Sequence, residues 1–123
     1  MKITMLLDTK SIFDKIGQVK IAPRLAYKIM KFYKSVEVEE EFYNNKKNEI
    51  IALYAEKDEN GQPIVENNIV KIVKDKIVDA NKAMFELNNT EVETPSIKFT
   101  LDELEGIELS VADMYTLDAF IEE

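Results

Sequence analysis

The sequence predicts an α+β fold that is mostly helical, and three observations lead to it. No Gly or Pro interrupts the chain between Arg24 and Asn60, and apolar residues recur there at helical spacing. A second helical stripe runs through Ile69, Val73, Ile77, Ala80, Met84 and Leu87. Beyond Asn88-Asn89 the texture changes to β-branched residues and the alternating set Ile97, Phe99 and Leu101, the mark of extended chain. The expected architecture is a long helix paired with a second helix in a hairpin, a small strand-containing C-terminal segment and a short terminal helix. At 123 residues one domain, 1–123, is the expected organisation.

Residues 2–7 fit either a short strand or the start of a helix. Asp8 or Thr9 suits the cap of a short helix carrying Ile12, Phe13 and Ile16, with Gly17 as its stop. Pro23 suits a first helical turn, where its missing N–H costs nothing. Leu25, Ile29, Phe32 and Val36 then follow spacings of four, three and four and share a face. The register continues to Tyr43, Ile50 and Leu53, so one helix is predicted over about residues 23–56. So long a rod either breaks near Asn44–Asn48 or needs support at its far end.

Lys57-Asp58-Glu59-Asn60-Gly61-Gln62-Pro63 is the clearest turn, because Asn-Gly readily adopts positive φ. A brief strand at Ile64 and Val65 is expected after it, then a helix capped by Asn67 or Asn68. Pro95 places the later extended segment at a sheet edge or starts it late. Thr100 with Glu103 has capping-box spacing and opens a single turn that Gly106 ends. Ser110 with Asp113 repeats the pattern before a final helix through Val111, Met114, Tyr115, Leu117, Phe120 and Ile121.

Charge is distributed unevenly along the chain. The formal net charge is −8, which disfavours direct nucleic-acid binding because the phosphate backbone repels the chain as a whole. Residues 1–36 nevertheless hold eight Lys or Arg against two acids, whereas residues 91–123 hold Lys98 alone against ten acids. Basic head and acidic tail either attract each other within the fold or face a partner. Lys20, Arg24, Lys28, Lys31 and Lys34, with Tyr27 and Tyr33 nearby, would suit a nucleic-acid groove. The overall charge favours the outer face of an amphipathic helix instead.

Catalytic chemistry has little to work with. The chain has no His and no Cys, so the commonest general base, the commonest metal ligand and the best thiol nucleophile are missing. No serine stands in a nucleophile elbow, and Gly17, Gly61 and Gly106 are too far apart for a phosphate loop. Glu37 and Glu41, at helical i, i+4 spacing, could hold a divalent cation, but a run of acids on a long helix reads first as a solvated face. Asp58-Glu59-Asn60-Gly61 lacks the remaining ligands of a calcium loop. No enzyme activity, metal or cofactor is expected. Binding through surface contact is what remains, with Glu103, Glu105, Glu108, Asp113 and Asp118 as candidate acidic contacts and Phe42 and Tyr43 as candidate aromatic anchors. Tyr54 and Phe85 lie on or near polar helix faces as well.

Three pieces of the chain together resemble a family of small uncharacterised proteins of phages and prophages of low-GC Gram-positive bacteria. They are Pro23-Arg24-Leu25-Ala26-Tyr27-Lys28-Ile29, Ala55-Glu56-Lys57-Asp58-Glu59-Asn60-Gly61, and the ending from Leu109-Ser110-Val111-Ala112-Asp113 through Leu117-Asp118-Ala119-Phe120-Ile121-Glu122-Glu123. The resemblance covers most of the chain from about residue 21, supplies no catalytic motif, and implies a phage-type accessory protein. Its expected role is to bind and modulate or inhibit a host or antiviral-defence protein in the bacterial cytoplasm. The alternative is a virion (tail) assembly protein acting through oligomerisation. The expected partner is a host or phage protein or a second copy in a homodimer. No membrane is expected, because no run of apolar residues is long enough to cross one.

Overall fold

The computed structural model describes residues 1–122; Glu123 lies outside the described residues. The fold is α+β and mostly helical, as the periodicities predict. Its elements are α1 (Ile3–Ile16), α2 (Pro23–Tyr54), β1 (Val65–Glu66), β2 (Ile69–Val70), α3 (Ile77–Asn88), β3 (Phe99–Thr100), α4 (Val111–Leu117) and β4 (Ile121–Glu122). The chain forms two compact units, Met1–Glu40 with Glu91–Glu123, and Glu41–Thr90. The helix α2 contributes to both, and residues 44–48 lie inside it, so the expected alternative of a break there is not realised.

In the first unit, α1 starts six residues earlier than the Asp8 cap predicts. Lys2 has extended backbone and caps without a side-chain hydrogen bond, while Ile3, Leu6, Ile12, Phe13 and Ile16 all turn inward. Burial of that whole face outweighs the capping tendency of Asp8 and Thr9. Thr9 instead fills the gap in the stripe, fully buried, with its hydroxyl donating to the Met5 carbonyl at 2.8 Å. Gly17 does follow the last helical residue.

Leu25, Ile29, Phe32 and Val36 of α2 are buried as their spacing predicts. They pack with the α1 face and with Phe99, Leu104, Leu117 and Phe120 into one core. The rings of Phe13 and Phe32 meet edge-on at 5.0 Å, Phe13 lies 4.7 Å from Phe99, and Phe32 meets Phe120 edge-on at 5.2 Å. The extended segment shrinks to Phe99–Thr100, paired in parallel with Ile121–Glu122. Ile121 therefore belongs to a strand, not to the terminal helix: α4 stops at Leu117 and tightens into a 3₁₀ turn over Asp118–Phe120. That turn drives Phe120 into the core.

In the second unit the Asn67-Asn68 cap is corrected. Both residues take positive φ, 52° and 65°, and turn the β1–β2 hairpin, with Val65 opposite Val70 and Glu66 opposite Ile69. Asn tolerates the left-handed region better than other residues that carry a Cβ, and two in succession match the twist of a two-residue hairpin loop. Ile69 and Val73 thus precede the second helix, which begins at Ile77 after a 3₁₀ turn over Lys74–Lys76. The Asn60-Gly61 turn forms as expected, with Gly61 at φ 75° and the Asp58 carboxylate accepting from the Asn60 and Gln62 amides. The end of α2 and α3 run antiparallel. The Tyr43 hydroxyl donates to Asn88 at 2.8 Å, while Tyr54 borders a cavity with Asp79, Lys82, Ala83 and Glu86. The predicted helical hairpin is present, closed by a β excursion.

Phe32→Ala removes a ring with no solvent exposure and is expected to cost about 3–5 kcal/mol of unfolding free energy in a urea titration. Phe85→Ala, at a position 68% exposed, is expected to cost under about 0.5 kcal/mol. Asn68→Ala is expected to destabilise the β1–β2 hairpin by about 1 kcal/mol and Asn68→Gly to leave it intact. The readout is exchange protection of the Lys71 amide, which bonds the Ile64 carbonyl.

Candidate functional site

The acidic segment 91–123 presents two kinds of carboxylate. The first kind is consumed within the fold. Glu103 closes a capping box with Thr100, accepting from its amide at 2.9 Å and its hydroxyl at 3.1 Å, and receives the Lys28 ammonium at 2.7 Å on the same Oε1. Lys28 also donates to the Lys98 carbonyl and lies 5.8 Å over the Phe99 ring. The Lys28 hydrogen bond, reinforced by Thr100, holds the Glu103 carboxyl below its ordinary value against the opposing effect of burial. Its Oε2 is buried without a hydrogen-bond partner among the described residues. The Thr100–Glu103 turn ends at Gly106, whose φ of 81° suits a residue without Cβ.

Asp113 is the second consumed carboxylate. It completes the predicted capping box with Ser110 and accepts from Lys15 of α1 at 3.3 Å. The Ser110 amide first, then Lys15, holds its carboxyl below the ordinary range. Basic head and acidic tail thus meet within the fold through Lys28–Glu103 and Lys15–Asp113.

The second kind stays unneutralised. Glu93, Asp102, Glu105, Glu108, Asp118 and Glu122 are exposed, and none joins an ion pair among the described residues. Lys98, the segment's lone cation, donates to the Ala119 carbonyl at 2.6 Å. Asp118 lies beside Leu101, Val111, Met114, Tyr115 and Ile121 on the walls of a groove of about 360 Å³. Val111 and Tyr115 are exposed, while Leu117 on the same helix is buried. The helix therefore has two apolar faces, one turned to the core and one to solvent.

No protein-family model, curated protein or solved structure matches this chain. Its chemistry is read from its own residues.

Of the residues singled out in the sequence, Glu105, Glu108 and Asp118 are available to a partner, and Glu103 and Asp113 serve the fold first. Phe42 and Tyr43 lie in the other unit, Phe42 40% exposed and Tyr43 half-buried with its hydroxyl bonded to Asn88. The groove residues Leu101, Val111, Met114, Tyr115 and Ile121 were expected in strand or helix packing, not at a surface site. The available signal was the spacing 111, 114, 115, 118, a face separate from 117 and 120.

On the basic side, Lys10 bridges Glu40 at 3.0 Å, and the Tyr33 hydroxyl donates to Asp14 at 2.6 Å. Burial, then the Asp14 carboxylate, pushes the Tyr33 phenol well above its ordinary value. The phenol therefore stays protonated near neutrality. Lys31 stacks over Tyr27 at 4.9 Å. Among the described residues no group of three or more acids is placed to hold a metal ion, and no helix is long and apolar enough to cross a membrane.

The depressed Glu103 value sets a pH signature. A carboxyl whose folded pKa lies below its unfolded one stabilises fully above the ordinary carboxylate range and loses that contribution as pH falls through the folded value. Urea titrations are expected to show Glu103→Gln less stable than wild type at neutral pH, with the gap closing as pH falls below the ordinary carboxylate range.

Proposed function

We propose that this chain is a non-catalytic, phage-type accessory protein. It binds a host or antiviral-defence protein through the acidic face of residues 91–123 and so modulates or inhibits it. One observation carries the reading: six exposed acids of the segment, Glu93, Asp102, Glu105, Glu108, Asp118 and Glu122, join no ion pair among the described residues. Like charges concentrated in one segment oppose the compact state. The cost is offset when the face steers toward and docks on a basic surface, including one that otherwise holds nucleic acid. The resemblance of Leu109-Ser110-Val111-Ala112-Asp113 and the following residues to phage proteins supports the setting.

A second reading, virion (tail) assembly through oligomerisation, is favoured by a different observation. Among the described residues of 41–90 the buried hydrophobics are Ala55, Ala80 and Leu87, while Leu53, Ile69, Val78 and Phe85 are each at least 62% exposed. So small a core suits a unit completed by another chain.

Immobilised protein is expected to capture a discrete partner from host lysate at low salt and release it as salt rises. Glu105→Gln/Glu108→Gln/Asp118→Asn is expected to lose that capture. Equal capture by wild type and the triple variant, or none by either, removes the accessory reading. Concentration-dependent oligomers in sedimentation that vanish with Phe85→Ser would favour assembly.

A further inference from the structure

We infer that the partner is held by one kind of segment: a stretch of protein rich in Lys or Arg that carries an apolar or aromatic anchor. The anchor seats in the groove formed by Leu101, Val111, Met114, Tyr115 and Ile121. The inference rests on the protein-binding reading above and adds where the contact lies and what chemistry it takes.

The groove is built for an apolar group. Leu117 is 1% exposed and already ties α4 to the core, whereas Val111 and Tyr115 are 74% and 79% exposed. A helix of seven residues needs one apolar face to dock, and this one has a second. With Leu101, Met114 and Ile121 that face closes a concavity of about 360 Å³, large enough for an aliphatic or aromatic side chain. Tyr115, with an apolar ring and a polar tip, is the residue type that anchors interfaces.

The rim decides what surrounds the anchor. Asp118 lines the groove directly, and no Lys or Arg does. Asp102 and Glu122 follow the lining residues Leu101 and Ile121 in the chain, and both are exposed without an ion pair among the described residues. Phosphate-bearing ligands, whether nucleic acid or an anionic membrane, are repelled by such a rim. A second copy of this chain brings its own net charge of −8 and is repelled at long range as well. A cationic protein segment is attracted, and its apolar residue is buried against the apolar walls of the groove. Charge sets the approach and the anchor sets the residence time.

The test titrates the whole chain with three synthetic peptides of equal length: Lys/Leu, Lys/Ser and Glu/Leu. The Met114 methyl and Tyr115 ring resonances are followed. The Lys/Leu peptide is expected to shift both saturably and to bind about tenfold or more tighter than Lys/Ser, the gain from burying one apolar side chain. Val111→Ser/Tyr115→Ser, checked for an unchanged thermal melt, is expected to lose that margin and retain the weaker Lys/Ser binding.

Equal affinity for Lys/Leu and Lys/Ser with a still Met114 methyl overturns the groove and leaves the acidic-face reading standing. Preference for Glu/Leu overturns the charge argument. Self-association that Tyr115→Ser abolishes makes a second copy the occupant and overturns the inference. Loss of lysate capture with peptide binding intact removes the accessory-protein reading while the groove stands.

Discussion

Phe13, Phe32, Phe99 and Phe120 come from α1, α2, β3 and the turn after α4, and each is at most 1% exposed. Their rings form a chain in the order 99, 13, 32, 120, with centroid separations between 4.7 and 5.2 Å. Every other feature of the first unit is arranged around that contact. Two helices supply the inner pair of rings; β3 carries Phe99, and the 3₁₀ turn that leads into its parallel partner β4 carries Phe120. So short a ladder has little stability of its own. The packed rings are what hold it, and through it they fix α4 so that Leu117 points inward and Tyr115 outward.

The same arrangement sorts the charges. Lys28 sits over the Phe99 ring with its ammonium on Glu103, and Lys15 reaches Asp113 at the α4 cap. Those two contacts place positive charge against the acidic segment where the elements join. Elsewhere in the segment Glu91 pairs with the Met1 ammonium at 3.3 Å, and the remaining acids have no such partner among the described residues. A chain whose charge pattern served stability alone would extend the pairing outward, and this one stops at the core's edge. The unneutralised acids and the apolar groove lie on one segment, and the proposed protein partner would engage both.

Much of this fold was legible because burial follows period. The stripe at 25, 29, 32 and 36, the turn at Asn60-Gly61 and both capping boxes are local patterns with one physical solution each. The errors came where a residue type has two solutions. Asn67-Asn68 serves equally as a helix cap or as a left-handed hairpin turn, and only pairing of Val65 with Val70 decides between them. Asp8 and Thr9 have capping chemistry, yet the apolar residues on both sides of them demanded one unbroken helix. The parallel pairing of Phe99 with Ile121 joins residues far apart in sequence, which no local pattern encodes. The site was half legible: the acids were visible as a charge run, but which were consumed depended on Lys15 and Lys28, remote in sequence.

The central claim is that partner contact falls on the C-terminal acidic face. Hydrogen exchange of the chain, free and bound to a protein captured from host lysate, tests it directly. Added protection is predicted on amides of residues 101–122, with residues 41–90 unchanged. Protection confined to residues 41–90 would contradict the account and assign binding to the exposed Leu53, Val78 and Phe85 surface instead.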